Sequence, residues 1–264
     1  MQNRYTALAM HQILAIARYT LLEARRTRLF LLLAAALVLM LALAFFVSEL
    51  AVIESARLSV SLYAAGARFA AVFVVSAHVL GSISREFNDK GIDVLLALDL
   101  PRTHYILGKL GGFLALAALA AAITSLPLVF LAPLPAVLQW GMALVLELSV
   151  VAAFSLFCVI AFGQFIPAAG LVLAFYLLAR SLTAIQLISA HPLSGGGTLS
   201  QEAGRWMVDM LALVMPALDR WPQTAWLIDT LAPWPSFAML LAQALVYVVL
   251  LAGAAMVDFQ RRNF

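Results

Sequence analysis

The chain has 264 residues, of which 65% are apolar and only 11% are charged. Soluble domains are about 45–50% apolar and about 25% charged, so the composition excludes a soluble globular enzyme and a disordered protein. Mean hydropathy is +1.03 over the whole chain, which a single anchor attached to a soluble domain would not produce. The composition predicts an all-α polytopic membrane protein, and the net charge of +3 indicates topology rather than affinity for nucleic acid.

The first part of the chain, residues 1–28, predicts an amphipathic helix that lies in the membrane interface. Apolar residues recur there at steps of three or four, and a mostly basic face lies opposite them. The apolar positions are Met10, Ile13, Leu14, Ala17, Leu21 and Ala24, and the polar positions are Arg18, Glu23, Arg25, Arg26 and Arg28.

Six later stretches are apolar over the length of about 20 residues that a bilayer crossing requires. They lie at residues 29–47, 62–81, 106–130 and 137–162, in a fifth span that ends near residue 188, and at 236–257. Gly163, Gln164 and Pro167 separate the fourth span from the fifth. The whole chain, 1–264, is predicted to form one transmembrane domain. Its spans one to five lie within 29–188, an outer amphipathic segment lies at 189–235, and the sixth span and tail lie at 236–264.

Lysine and arginine residues outside the spans are unevenly distributed. Eleven lie in the N-terminal segment, in residues 81–109 and in the C-terminal tail, whereas three lie on the other side. Because basic residues flank spans on the cytoplasmic side, both termini are predicted to be cytoplasmic. We expect a multi-pass protein of the cell inner (plasma) membrane.

The longest connection on the basic side, residues 82–105, combines clustered charges with apolar residues. This combination is typical of a short helix that a cytosolic partner can grip, although a solvated loop whose charges only fix topology fits equally well. The residues that would make the contact are Arg85, Glu86, Phe87, Asp89, Lys90, Gly91, Asp93, Leu95 and Leu96.

The same connection resembles the corresponding loop of ABC type 2 exporter permeases. The resemblance is carried by Arg85-Glu86, Gly91, Leu95-Leu96, Pro101-Arg102, Tyr105 and Gly108-Lys109, and the layout of the whole chain agrees with it. Ile92 replaces the threonine of the family pattern and Asp99 adds an acid before the proline, which bears on the subfamily. The stretch 215–220 resembles one in permeases of the copper-enzyme-maturation group.

The resemblance implies a non-catalytic permease that forms the translocation pathway and works in a pair, most simply a homodimer. Two separately encoded cytosolic ATP-binding subunits would bind ATP and Mg²⁺, and this chain would hold no cofactor. Residues 86–96 would be the coupling helix that sits against the ATPase. Membrane lipid surrounds such a chain, and neither the resemblance nor the composition identifies the exported substrate.

Three charged residues, Arg68, Glu147 and Arg180, fall within predicted spans at similar depth in the outer half. A charge that faces lipid is costly, so we expect the three to lie in contact. They form either a polar lining of a transport path or a structural ion-pair network. If they bound a coupling ion, the chain would instead be an ATP-independent polytopic carrier, which is the alternative function.

The outer segment combines amphipathic helical spacing with aromatic residues, and Trp206, Trp221, Trp226 and Trp234 are expected at headgroup depth. No cluster of His, Asp, Glu or Cys has the spacing of a metal site or a catalytic nucleophile, so no metal site is predicted. Met207, Met210 and Met215 are possible copper ligands, but methionines at this spacing are typical of packing. Cys158, the single cysteine, is expected to be a buried packing residue.

Overall fold

The computed structural model describes residues 2–50, 54–89, 101–190, 199–229 and 231–261, and these residues form helices and no strand. The helices are α1 (Gln2–Arg26), α2 (Leu29–Leu50), α3 (Ser55–Asn88), α4 (Arg102–Ser125), α5 (Leu134–Phe162), α6 (Phe165–Ala190), α7 (Leu199–Val214), α8 (Ala225–Ile228) and α9 (Trp234–Arg261). Short 3-10 turns lie at Pro127–Phe130 and Leu218–Arg220. The prediction of an all-α fold is confirmed.

Within the described residues, six helices are long and apolar enough to cross a bilayer, namely α2, α3, α4, α5, α6 and α9. The predicted number of spans is therefore confirmed. The observed helices extend beyond several predicted spans, most clearly α3, which has 34 residues. At 1.5 Å per residue α3 is about 51 Å long, against about 30 Å for the hydrocarbon core. Its ends therefore continue beyond the bilayer, and Gly81, the last residue of the predicted span, lies inside the helix without ending it.

Local backbone conformation explains where the helices break. Gly163 has a φ of 70° and closes α5, so that α6 begins two residues later at Phe165. Pro167 lies in the first turn of α6, where a missing backbone N–H costs little. Arg28 adopts a left-handed φ of 57° between α1 and α2, which turns the chain from the N-terminal helix into the first span.

Successive spans run in opposite directions, so the chain alternates between the two ends of the bundle. At one end, which we call the basic end, α1, α3 and α9 finish and α4 begins. Arg102 Nη1 donates there to the backbone oxygens of Phe259 and Gln260, both at 3.2 Å. At the opposite end Arg57 pairs with Asp229 at 3.3 Å. Helix α5 is the most deeply buried span and packs against α3, α4, α6 and α9, and its Cys158 is fully buried.

Helix α1 packs lengthwise against the first half of α4. A Cβ atom added to Gly108 would lie 2.7 Å from Ile16 Cβ, and one added to Gly112 would lie 2.6 Å from Thr20 Cβ. The two glycines therefore permit an approach that any other residue would block. Met10 and Leu14, which were predicted to belong to the apolar face of α1, are 69% and 55% exposed. The predicted position of α1 in the membrane interface stays a prediction.

Candidate functional site

A buried ion network at the basic end is the first candidate site. Its centre is Lys109 on α4, whose side chain is 2% exposed although it carries a charge. Lys109 Nζ contacts Glu86 on α3, lies 3.5 Å from Glu23 Oε2 on α1, and donates to Ser82 Oγ at 3.4 Å. The ring centroids of Tyr19 and Phe113 each lie 5.9 Å from the same nitrogen. One cation thus joins three helices.

The carboxylates of the network have further partners that fix their positions. Glu86 accepts a hydrogen bond from Tyr105 Oη, and the Tyr105 ring stacks on Phe259 of α9 with centroids 5.6 Å apart. Glu23 accepts from Ser82 Oγ at 2.7 Å and from Arg85 Nη2 at 3.0 Å. The end of α3 is therefore tied to α1 and α4 directly, and to α9 through Tyr105.

The environment of Glu23 favours its charged form. Burial raises the pKa of this carboxyl, but the hydrogen bond from Ser82, the positive charge of Lys109 and the hydrogen bond from Arg85 outweigh burial. The pKa of Glu23 therefore lies below its ordinary value. Because two carboxylates face two cations, the network is balanced in charge, which is how buried ionic groups are normally accommodated.

The residues predicted to contact an ATPase lie in different environments in the structure. Arg85 and Glu86 belong to the buried network, and Asp89 is exposed where α3 ends. Phe87 is partly buried against the core. The remaining predicted contacts lie outside the described residues, namely Lys90, Gly91, Asp93, Leu95 and Leu96. Their role stays a prediction.

Glu23, Ser82, Tyr105 and Lys109 form most of the network, and their contacts with one another were not predicted from the sequence. Glu23 and Ser82 are 59 residues apart, and no spacing rule connects positions so distant. The one available signal was the pair of Gly108 and Lys109 at the start of an apolar span, because a lysine there needs a partner or a route to water.

The second candidate site is a buried polar layer in the half of the bundle nearer the opposite end. Glu147 on α5 is 0% exposed. Its Oε1 atom accepts from Tyr176 Oη at 3.1 Å and lies 3.5 Å from Arg180 Nη1, both on α6. Arg68 on α3 is 4% exposed, and the ring of its neighbour Phe69 meets that of Tyr176 edge to face. The structure thus brings the three predicted intramembrane charges into one layer, with a direct ion pair between Glu147 and Arg180.

The two arginines of this layer also hold the outer segment. Arg68 Nη1 donates to the backbone oxygen of Pro222 at 2.9 Å, and Arg180 Nη1 donates to that of Leu218 at 2.7 Å. Gln139 on α5 adds a pair of hydrogen bonds with the backbone of Ala232 at 2.8 and 3.0 Å. The segment between α7 and α9 is therefore fixed to the bundle through its backbone.

The four tryptophans of the outer segment differ in burial, and their position at headgroup depth stays a prediction. Trp221 is 0% exposed and Trp226 is 9% exposed, whereas Trp206 and Trp234 are 66% and 74% exposed. The short turns at residues 218–228 fold inward over the polar layer, because their carbonyl groups bond to buried arginines. Sequence spacing did not reveal this, since these turns are too short for a helical period.

Within the parts of the chain that the structure describes, no group of three or more His, Cys, Asp or Glu residues could hold a metal ion. Met207 and Met210 are 60% and 44% exposed on α7. A copper role for these methionines stays a prediction. No family model matches the chain, and no curated protein matches it either.

Proposed function

We propose that this chain is the transmembrane permease subunit of an ABC type 2 exporter, with both termini on the cytoplasmic side of the inner membrane. It acts as a homodimer with two cytosolic ATP-binding subunits, which bind and hydrolyse ATP with Mg²⁺. The chain itself catalyses no reaction and supplies the translocation pathway. The motif in residues 85–109 and the predicted distribution of basic residues support this proposal.

The observation that carries the proposal furthest is the anchoring of the end of α3. A segment that receives force from a partner must transmit it to the spans rather than bend at its base. Glu86 and Arg85, in the last turn of α3 before residues 90–100, are held by Lys109 on α4 and Glu23 on α1. Movement of residues 90–100 would therefore be passed to three helices together.

The ion network determines how the proposal is tested. Reversal of Glu86 would place a second cation beside the buried Lys109 and disrupt the fold, so this residue is unsuitable. Asp89 is exposed at the end of α3, and Glu49 is exposed at the other end of the bundle. Asp89→Lys and Glu49→Lys therefore make the same change of charge at opposite ends.

The measurement is co-purification from native membranes, with the bound proteins identified by mass spectrometry and their ATPase activity assayed. We expect the unmodified chain and Glu49→Lys to retain an ATP-binding subunit, and Asp89→Lys to lose it. The proposal fails if the unmodified chain retains no such subunit, or if Asp89→Lys retains it in full.

The ATP-independent carrier is supported by one observation, the fully buried Glu147. Its Oε2 atom has no hydrogen-bond partner among the described residues, and an intramembrane carboxylate is a feature of ion-coupled carriers. Substrate flux in proteoliposomes without ATP, driven by an ion gradient and abolished in Glu147→Gln, would favour the carrier. Flux that requires ATP and the co-purified subunit would favour the exporter.

A further inference from the structure

An apolar groove of about 570 Å³ lies between α3 and α6, and it meets the second candidate site at Tyr176. Its walls include Val72, Phe73 and Leu80 on α3, and Ile166 and Leu173 on α6. The hydroxyl groups that reach it already donate elsewhere, that of Ser76 to the backbone oxygen of Phe73 and that of Tyr176 to Glu147. The groove therefore suits an apolar occupant.

The groove is closed at one end and open at the other. Towards the middle of the bundle it stops where Phe69 and Tyr176 meet edge to face, with ring centroids 5.6 Å apart. Towards the basic end it extends to Leu80 and Phe165. The eleven helical steps from Phe69 to Leu80 correspond to a depth of about 17 Å. One leaflet contributes about half of the roughly 30 Å hydrocarbon core, so the groove is about one leaflet deep.

The open end lies at the level of the membrane surface on the basic side. Leu80 is placed between His78 and Ser82 on α3, and these residues contact Thr27 and Glu23 where α1 gives way to α2. The first span starts at Leu29, which marks this level as the boundary of the apolar core. The groove is also open along its side, since Phe73 and Ile166 are 66% and 82% exposed.

We propose that this groove binds one acyl chain of a phospholipid from the leaflet at the basic end. The chain enters at Leu80 and Phe165 and ends against the Phe69–Tyr176 contact. A transmembrane helix from a second copy would need a seat along the full thickness of the core, whereas this groove stops about halfway. The proposal does not depend on the exporter assignment, because it rests only on the shape and lining of the groove.

Photolabelling tests whether an acyl chain occupies the groove and in which direction the chain lies. The purified chain is reconstituted in vesicles of phosphatidylethanolamine and phosphatidylglycerol whose acyl chain carries a diazirine, either near the methyl end or near the carboxyl end. We expect the methyl-end probe to label Phe73 and Leu173, and the carboxyl-end probe to label Leu80 and Ile166. Labelling should exceed that of Val249, a residue of α9 that is 60% exposed, by about tenfold.

Two glycine variants provide the matched comparison. A Cβ atom would meet nothing within 4 Å at either Gly170, which lines the groove, or Gly253 on α9. Gly170→Phe should fill the groove and lower its labelling about tenfold, whereas Gly253→Phe should leave it unchanged. If Gly170→Phe does not elute as a folded protein, Ala77→Leu fills the same groove from α3.

Three results would overturn the acyl-chain site. Labelling of the groove no stronger than that of Val249 would show no preferred chain there. Labelling unaffected by a folded groove-filling variant would place the lipid elsewhere. Efficient disulfide cross-linking between copies carrying Cys158→Ser and Ile166→Cys, without lipid labelling, would assign the groove to a second copy instead.

Discussion

Lys109 Nζ lies 3.5 Å from Glu23 Oε2, and this contact joins the first helix of the chain to the third span in a pocket where the lysine side chain is 2% exposed. The same nitrogen contacts Glu86. Two carboxylates from different helices thus depend on one cation, and the position of α1 depends on a residue far away in sequence.

Replacement of Lys109 by methionine should strongly destabilise the bundle. The variant leaves Glu23 and Glu86 facing each other without their shared counter-ion, and loss of one partner of a buried ion pair costs about 3–5 kcal/mol. Arg85→Met is the control, because that side chain is 53% exposed and such pairs contribute about 1 kcal/mol or less. Thermal unfolding in detergent measures both, and equal losses would contradict the central position of Lys109.

Alanine substitution of Gly108 or Gly112, which lie against α1, should have a different effect from alanine substitution of Gly111. Gly108→Ala and Gly112→Ala force Cβ atoms into Ile16 and Thr20, so α1 should separate from α4 and become sensitive to trypsin at Arg25 and Arg26. Gly111→Ala meets nothing within 4 Å and should be neutral or stabilising by up to about 1 kcal/mol, since alanine favours helix. Limited proteolysis distinguishes the cases, and equal cleavage in all three variants would refute the packing.

The contribution of Glu23 should depend on pH. Its pKa in the folded protein lies below the ordinary value of 4.5, so the carboxylate stabilises the fold above about pH 4.5. This stabilisation is lost as the pH falls through the lower folded-state pKa. The difference in thermal stability between the unmodified chain and Glu23→Gln should therefore be greatest near neutral pH and shrink in acid. A difference that stays constant from pH 7 to pH 3 would contradict this assignment.

Glu147 should be essential for the polar layer of the bundle. Glu147→Gln leaves Arg180 with a weaker partner, and Glu147→Lys adds a third cation to a buried site. We expect a loss of about 3–5 kcal/mol for the first and failure to fold for the second. Glu147→Lys combined with Arg180→Glu should recover part of the loss. Yield of monodisperse protein in detergent reports the outcome, and full tolerance of Glu147→Lys alone would disprove the network.

Chemical labelling should place the basic end in the cytoplasm. The single native cysteine is buried, so Cys158→Ser gives a clean background for new cysteines at Asp89 and Glu49, both exposed and at opposite ends. A membrane-impermeant maleimide applied to spheroplasts should modify Glu49→Cys at once and Asp89→Cys only after lysis. The reverse pattern would invert the predicted topology.

The fold was largely predictable because six apolar stretches and the glycine and proline breaks between them are local features. The ends of α3 were not predictable, since the helix continues through polar residues that no hydropathy rule includes. Arg68, Glu147 and Arg180 were grouped correctly in depth because helical rise converts sequence position into height. Lys109, Glu23 and Tyr105 were missed because their contacts depend on how α1 and α9 pack against α4, which pairwise spacing along the chain does not encode.

Arg68 and Arg180 hold the outer segment through hydrogen bonds to the backbone carbonyl oxygens of Pro222 and Leu218. Every amino acid possesses this backbone carbonyl group. The anchorage therefore makes no demand on the chemistry of the side chains at those two positions. Related chains are free to vary the surface of this segment, and with it whatever meets that face of the membrane, while its attachment to the spans is kept.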